Sequence, residues 1–471
     1  DAKKRSLLLA RDPMGIKPLY YAEIESNGER TLAFASEIRA MLATGMVNRR
    51  IDPVALESFL WNGFVVGPNT IVEGVRLLPA GTSTTVGLDA AASSPRAFPD
   101  IDNRPISVTT ADVAEELAQA VEMRLHADVP VGVFLSGGVD SSAVATLAAE
   151  RIGGEAVKTF NVSFDETEFD ESGYARAVAE ALSTDHHDIR LSEATFADQL
   201  DSALSCIDQP TFDGINTYFV SRAVREAGVT VALAGTGGDE LFGGYTSFRD
   251  IPAVRRYARV ASRLPASVRS AAARAVVRMK VGPSGEIAPQ TRWGKLEDVL
   301  ATGGSALALY QTSYSLFTRS FCEQLHCSNG NTHLSHGLPV DRARQLDEFA
   351  SRNTLLGTIS KFEQELFLGE RLLRDTDAAS MAVALEVRVP LVDSRFVAAV
   401  GRLQDQDRFH PVGRKQILRE IASRRVDPAL FDRPKSGFVL PIGRWCRQRL
   451  RGELDAVFHD EATCEAVGLN A

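Results

Sequence analysis

A chain of 471 residues is too long for one hydrophobic core, so two or more domains are expected. With 44% hydrophobic and 24% charged residues it has the composition of a soluble globular protein, and its formal net charge of −9 argues against nucleic acid as the main partner. No apolar run approaches the length of a membrane span, and five cysteines without a C-x-x-C pair read as the reduced thiols of a cytoplasmic protein.

Residues 5–88 read as β-rich: RSLLLARD, PLYYAEI, TLAFASEI and GTSTTVGL are short apolar runs separated by Gly, Pro and Asn. A helix is expected at DPVALESFLWNGF, with Asp52 as N-cap and Pro53 at its first position. The stretch 89–106 is rich in Ala, Ser, Pro and Asp without a period and reads as a linker. From 107 the pattern changes. An amphipathic helix (VAEELAQAVEMRLH) leads to a buried strand (VPVGVFL), then a helix (SSAVATLAAERI) closed by Gly153 and Gly154. The strand VKTFNVSF, the helix ESGYARAVAEAL and the strand DHHDIRL follow, then helical stretches at 193–207 and 215–227, then the strand VTVALAG. Strands alternating with helices imply an α/β, doubly wound parallel sheet. Beyond residue 245 the pattern is mostly helical. The chain opens on DAKKRS, with neither Met nor a signal-peptide pattern, and closes on CEAVGLNA; both ends read as cut from something longer.

The stretch VGVFLSGGVDSS at 131–142 carries the chemistry. A strand runs into Ser136, Gly137 and Gly138, then into Asp140, Ser141 and Ser142 at the start of a helix. Ligands of α/β folds bind at such carboxyl ends of parallel strands. Glycines allow close backbone approach, amides and hydroxyls donate, and the helix N-terminus favours an anion, so a phosphate or pyrophosphate is expected. Asp140 would repel a bare phosphate, and a bridging Mg2+ is the natural complement. The competing reading is a serine-capped glycine turn with no ligand; strand, loop, helix and carboxylate together favour the ligand. No G-x-x-x-x-G-K-S/T occurs, since WGKLE at 293–297 lacks the hydroxyl residue and the upstream glycine. No G-x-G-x-x-G opens the helix either, so Walker-type and dinucleotide sites are disfavoured.

SGGVDSS resembles the S-G-G-x-D-S pyrophosphate loop of the ATP pyrophosphatases, enzymes that cleave ATP to AMP and pyrophosphate while adenylating a substrate. AGTGGDELFGGY at 234–245 resembles the S-G-x-G-x-D-E-L-F-G-G-Y signature of asparagine synthetases, and LEVRVPLVD (385–393) and RPKSGFVLP (433–441) resemble later blocks of that family in the same order. RDPMGIKPLYY (11–21) and FASEIRAM (34–41) resemble the second half of its glutaminase domain, so the likeness covers essentially the whole chain.

This resemblance implies a partial glutaminase sandwich of the N-terminal-nucleophile hydrolase type over 1–88, a linker over 89–106 and an ATP pyrophosphatase domain with a helical extension over 107–471. It implies an ATP-dependent ligase that makes asparagine from aspartate through β-aspartyl-AMP, using ammonia from glutamine. Ser136, Gly137, Gly138, Asp140 and Ser141 would hold the pyrophosphate, and Asp140 and Asp239 the Mg2+. Phe134, Val162, Ala234 and Gly235 would flank adenine and ribose, mostly through backbone groups, and Lys435 matches the family's catalytic lysine. ATP, Mg2+, aspartate, and glutamine or ammonia are the implied ligands, with no nucleic acid or membrane partner; a homodimer is compatible.

Two departures stand out. The family's glutaminase nucleophile is an amino-terminal cysteine, whereas residue 1 is Asp and the first cysteine is Cys206, so residues 1–88 would keep part of that sandwich without its catalysis. Thr236 stands where the family often has a glutamate linked to forming the acyl-adenylate, and Ala234 replaces the usual Ser. A hydroxyl donates a hydrogen bond but is no general base near neutral pH. Thr236 is therefore either a participant or a cap of its turn, and the acceptor is either aspartate or another carboxylate. Related amidating or lactam-forming synthetases and RNA-modifying adenylating enzymes are the alternatives.

Three further features have bland readings. Glu386 and Arg388 read equally as a supporting ion pair. The spacing of Cys322, His326, Cys327, His333 and His336 matches no common zinc finger, so a metal there is disfavoured. The basic stretch 248–280 reads as the solvated face of amphipathic helices.

Overall fold

The computed structural model describes every residue except 2, 27, 99–107, 165, 167–169, 212, 282–286, 326–333, 434–440 and 471. The amino-terminal part is two three-stranded antiparallel sheets. One pairs β1 (Leu7–Ala10) with β5 (Thr82–Val86) and β5 with β6 (Arg96–Ala97); the other has the order β3 (Glu29–Ala35), β2 (Tyr20–Ser26), β4 (Arg76–Leu77). Period-two alternation explains the layering. Tyr20 and Ala22 point to a core with Ile38, Met41 and Val72, while Tyr21 between them faces Leu78 and, from the other sheet, Leu9 and Val86. Within the stretch expected as a linker, Arg96 and Ala97 pair with Ser83 and Thr82 as an edge strand. The helix Pro53–Asn62 starts as its sequence signals: the Asp52 carboxylate accepts from the Ala55 amide at 2.9 Å, and Gly63 ends it at φ 78°.

The second part is built on five parallel strands, β7 (Val131–Phe134), β8 (Lys158–Phe164), β9 (Asp185–Leu191), β10 (Val231–Leu233) and β13 (Glu386–Arg388), in the order β13-β10-β7-β8-β9. The intervening β11 (Leu334–Ser335) and β12 (Leu338–Pro339) form a small separate hairpin. From β7 the chain winds outward through β8 and β9, then returns to lay β10 on the other side of β7. The carboxyl ends of β7 and β10 are therefore the switch point of a doubly wound sheet. The helix Val139–Ile152 after β7 is buried at every position from 141 to 149, because it lies between the sheet and the helices Thr110–Leu125 and Gln416–Ala422. Its burial on all sides explains why it reads as an Ala- and Val-rich run rather than a stripe.

β13 was not legible as a strand. It is three residues long and pairs only with β10, so no alternation marks it. Arg388 donates to Glu386 Oε1 and to the carbonyls of Arg124 and His126, each at 2.8 Å, and so caps the end of the helix Thr110–Leu125. The ion-pair reading of Glu386 and Arg388 is the one the geometry shows.

The two parts share a core: Phe64 and Val66 pack with Phe248, Tyr310, Ile359 and Phe362 of the helical extension. A continuous helix over 355–381, π-helical at Glu363–Leu372, ties them further. Its Arg374 donates to Val65 O at 2.8 Å, and its Glu370 accepts from the Gly67 amide at 3.2 Å. The basic stretch forms the helix Ser247–Ala261, which buries Phe248, Ile251 and Ala258, and the helix Ala266–Val281, exposed over most of its length. Of the Cys/His group, His326, Cys327 and His333 lie outside the described residues. Cys322 contacts the Leu60 carbonyl, and His336 packs edge-on against Trp61. Among the described residues no helix is long and apolar enough to cross a membrane.

Candidate active site

The 136–141 loop leaves β7 with Gly137 at φ 70°, a left-handed conformation that suits glycine. The Ser136 and Ser141 hydroxyls brace each other at 3.2 Å, and the Gly138 amide donates to Ser136 Oγ at 3.3 Å. Ser142, expected to donate alongside them, is fully buried in the helix and faces the core instead.

Opposite this loop, 234–239 leaves β10. The Ala234 amide donates to Arg388 O at 2.9 Å, which carries the sheet pairing one residue beyond β10. The two loops touch through glycines. A Cβ at Gly235 would come within 2.7 Å of the Ser141 amide nitrogen, and one at Gly238 within 2.5 Å of the Asp140 carboxylate carbon. Only glycine admits so close an approach. The glycine spacing of AGTGGDELFGGY is thus a packing requirement that sets Asp239 beside Asp140.

Both carboxylates, each in the first turn of a helix, point at one cationic atom. Lys415 Nζ lies 2.6 Å from Asp140 Oδ2 and 2.8 Å from Asp239 Oδ1. Lys415 is 9% exposed, precedes the helix Gln416–Ala422 and has φ 51°. Burial opposes its charge, but the two carboxylates outweigh burial and hold its pKa above the ordinary lysine value. Sequence reasoning missed this residue. VGRKQILRE carries no motif, and its partners lie 275 and 176 residues away.

Behind Asp239 lies a buried acidic layer. Glu240 accepts from the Tyr245 hydroxyl at 2.8 Å, and burial, with Asp239 beside it, pushes its pKa up to about 8. The buried Glu363 accepts from Ser247, Tyr314 and Tyr310 at 2.5, 2.6 and 3.0 Å. The remaining expected residues divide. Phe134 and Ala234 share one cluster with Phe160, beside the 136–141 loop. Val162 sits one strand further out, its side chain among Phe164, Leu191 and Trp445. Thr236 lies half-buried in the turn before the helix Gly238–Phe242, whose N-cap is Gly237.

Lys435 lies outside the described residues. The residue just before that segment, Arg433, is anchored in the site: it pairs with Glu171 at 2.9 Å, its guanidinium stands 3.9 Å from the Tyr174 ring centroid, and it approaches Ser136 O at 3.5 Å. Beyond the segment, Trp445 donates to Glu166 Oε1 at 2.9 Å and packs on Phe164 and Phe196. Both anchors belong to the carboxyl-end side of β7 and β8.

As to chemistry, the arrangement offers a cradle of amides and hydroxyls at a helix N-terminus, next to two carboxylates already positioned on one cation. That donor set suits a polyphosphate with a hard divalent metal, which takes one or two carboxylates and draws its other ligands from phosphate and water.

Residues 112–469 match the family model described as asparagine synthase, and residues 1–97 match that of a glutamine amidotransferase domain. Asparagine synthetase (glutamine-hydrolysing) 1 of Bacillus subtilis strain 168 is 28% identical over 461 residues, covering 96% of this chain and 68% of that protein. Amidase chyE of Penicillium rubens is 28% identical over 485 residues, covering 94% of this chain and 69% of that protein. Among solved structures, an NH3-dependent NAD synthetase from Campylobacter jejuni overlaps 29% of this chain and 61% of its own, at 18% identity and a TM-score of 0.22. An overlap that slight adds nothing to the fold described above.

Proposed function

Because this chain belongs to the asparagine synthase family, we propose that it makes a carboxamide from a free carboxylic acid, ATP and ammonia, with aspartate as the acid and asparagine, AMP and pyrophosphate as products. The observation that carries this reading is the convergence of Asp140 and Asp239 on one cation position at the β7/β10 switch point. The amidotransferase match over 1–97 supports glutamine as the source of ammonia in the intact protein.

In this reading the amides and hydroxyls of 136–141 hold the β- and γ-phosphates, and the backbone at Phe134, Val162, Ala234 and Gly235 receives the nucleoside. A Mg2+ on Asp140 and Asp239 would neutralise the phosphates and ease departure of pyrophosphate. The acid's carboxylate oxygen bonds to the α-phosphorus as the bond to pyrophosphate breaks. Ammonia's nitrogen then bonds to the acyl carbon, AMP leaves with the electron pair, and the surplus proton passes to solvent. Lys435, two residues beyond the Arg433 anchor, would supply the cation that steadies this charge. The test is pyrophosphate release with ATP, Mg2+, an ammonium salt and a panel of carboxylates. Aspartate-dependent release is expected, and no release with any acid would overturn the reading.

Thr236 bears on the acid. Thr236→Val keeps the shape and removes the hydroxyl. A fall of about tenfold in aspartate adenylation, roughly 1.4 kcal/mol, is expected if that hydroxyl donates to substrate. Unchanged kinetics would make Thr236 a structural residue, and release driven better by a different acid would name that acid as the acceptor.

Arg433→Ala should stay folded with a somewhat lower thermal midpoint and lower pyrophosphate release by about tenfold or more, because the segment bearing Lys435 loses its anchor on Glu171 and Tyr174. Wild-type rates in Arg433→Ala would detach that segment from the chemistry.

A further inference from the structure

The cation between Asp140 and Asp239 is the chain's own Lys415 ammonium. Three observations give this meaning. First, the lysine is built in: Ile417, Leu418, Ile421 and Ala422 of the helix it opens are buried in the core that also holds the Asp140 helix. Its left-handed backbone, unusual for a side-chain-bearing residue, directs it here. Second, the ammonium and a divalent metal would use the same carboxylate oxygens. Two cations at one point repel, so occupancy is exclusive. Third, among the described residues no group of three or more His, Cys, Asp or Glu side chains is arranged for a metal ion. Two carboxylates alone hold Mg2+ only when phosphates and water complete its shell.

Resting on the ATP-ligase reading, we propose that Lys415 is an internal counter-ion that closes the Asp140/Asp239 pair to divalent cations until a nucleotide arrives. Nucleotide phosphates give the ammonium a new anionic partner and give the metal its missing ligands. The lysine then swings off the carboxylates as the metal enters, and metal binding is tied to nucleotide binding by exclusion.

Mn2+ binding, followed by loss of the free-ion electron paramagnetic resonance signal, tests this with and without α,β-methylene-ATP. Wild type should retain Mn2+ only with the analogue. Lys415→Met should bind Mn2+ without nucleotide at least tenfold more tightly than wild type. Lys415→Gln, which keeps hydrogen-bond donors and so guards against misfolding, should shift the same way; circular dichroism checks both folds. Equal nucleotide-free Mn2+ affinity in wild type and both variants, with the analogue still tightening binding, overturns the counter-ion inference and leaves the ligase reading standing. Failure of all three proteins to bind Mn2+ even with the analogue overturns both.

Discussion

Asp140→Asn should lower pyrophosphate release about a thousandfold, roughly 4 kcal/mol of transition-state stabilisation, while the protein stays folded. The substitution is isosteric and leaves Asp239 to pair the buried Lys415 ammonium, so some stability is lost with the Asp140 charge but the fold is kept. What disappears is one of two charges converging on a single cation position, 2.6 Å from Lys415 Nζ. An amide oxygen is a poor ligand for a hard divalent ion where only two carboxylates are available. Asp239→Asn should match it, and the double variant should be little worse than either, since both remove the same bound cation. Release within tenfold of wild type in folded Asp140→Asn would refute the metal role.

Glu240→Gln should become more stable than wild type as the pH rises, by up to a few kcal/mol at ~1.4 kcal/mol per pH unit. The sign follows from burial. Glu240 is 1% exposed, and its pKa is pushed up to about 8 from 4.5. The folded protein holds a proton that the unfolded chain releases above pH 4.5. That contribution is complete at acid pH, falls from pH 4.5 onward and is gone beyond pH 8. Glutamine mimics the protonated acid at every pH and can still accept from Tyr245. The difference in thermal midpoint, variant minus wild type, should be near zero at acid pH and grow toward pH 8. A difference that stays flat across that window would mean the Glu240 carboxyl does not titrate there.

The strand–loop–helix at 131–152, the parallel winding, the caps at Asp52 and Gly153 and the glycine-rich second loop were all legible from the chain, because each rests on local periodicity or on a conformation one residue type prefers. The resemblance added roles for those positions that periodicity does not supply. What only the tertiary structure decided are relations between distant residues. The sheet order puts β10 beside β7 and so brings Asp239 to Asp140. A helix docked 275 residues away delivers Lys415 to both. Burial between remote elements makes Glu240 a proton-holding acid. Arg388 became a helix cap because its edge strand ends against the helix Thr110–Leu125. Secondary structure is set by neighbours a few residues apart, whereas the charge state and partner of a buried ionisable group depend on which remote elements close over it.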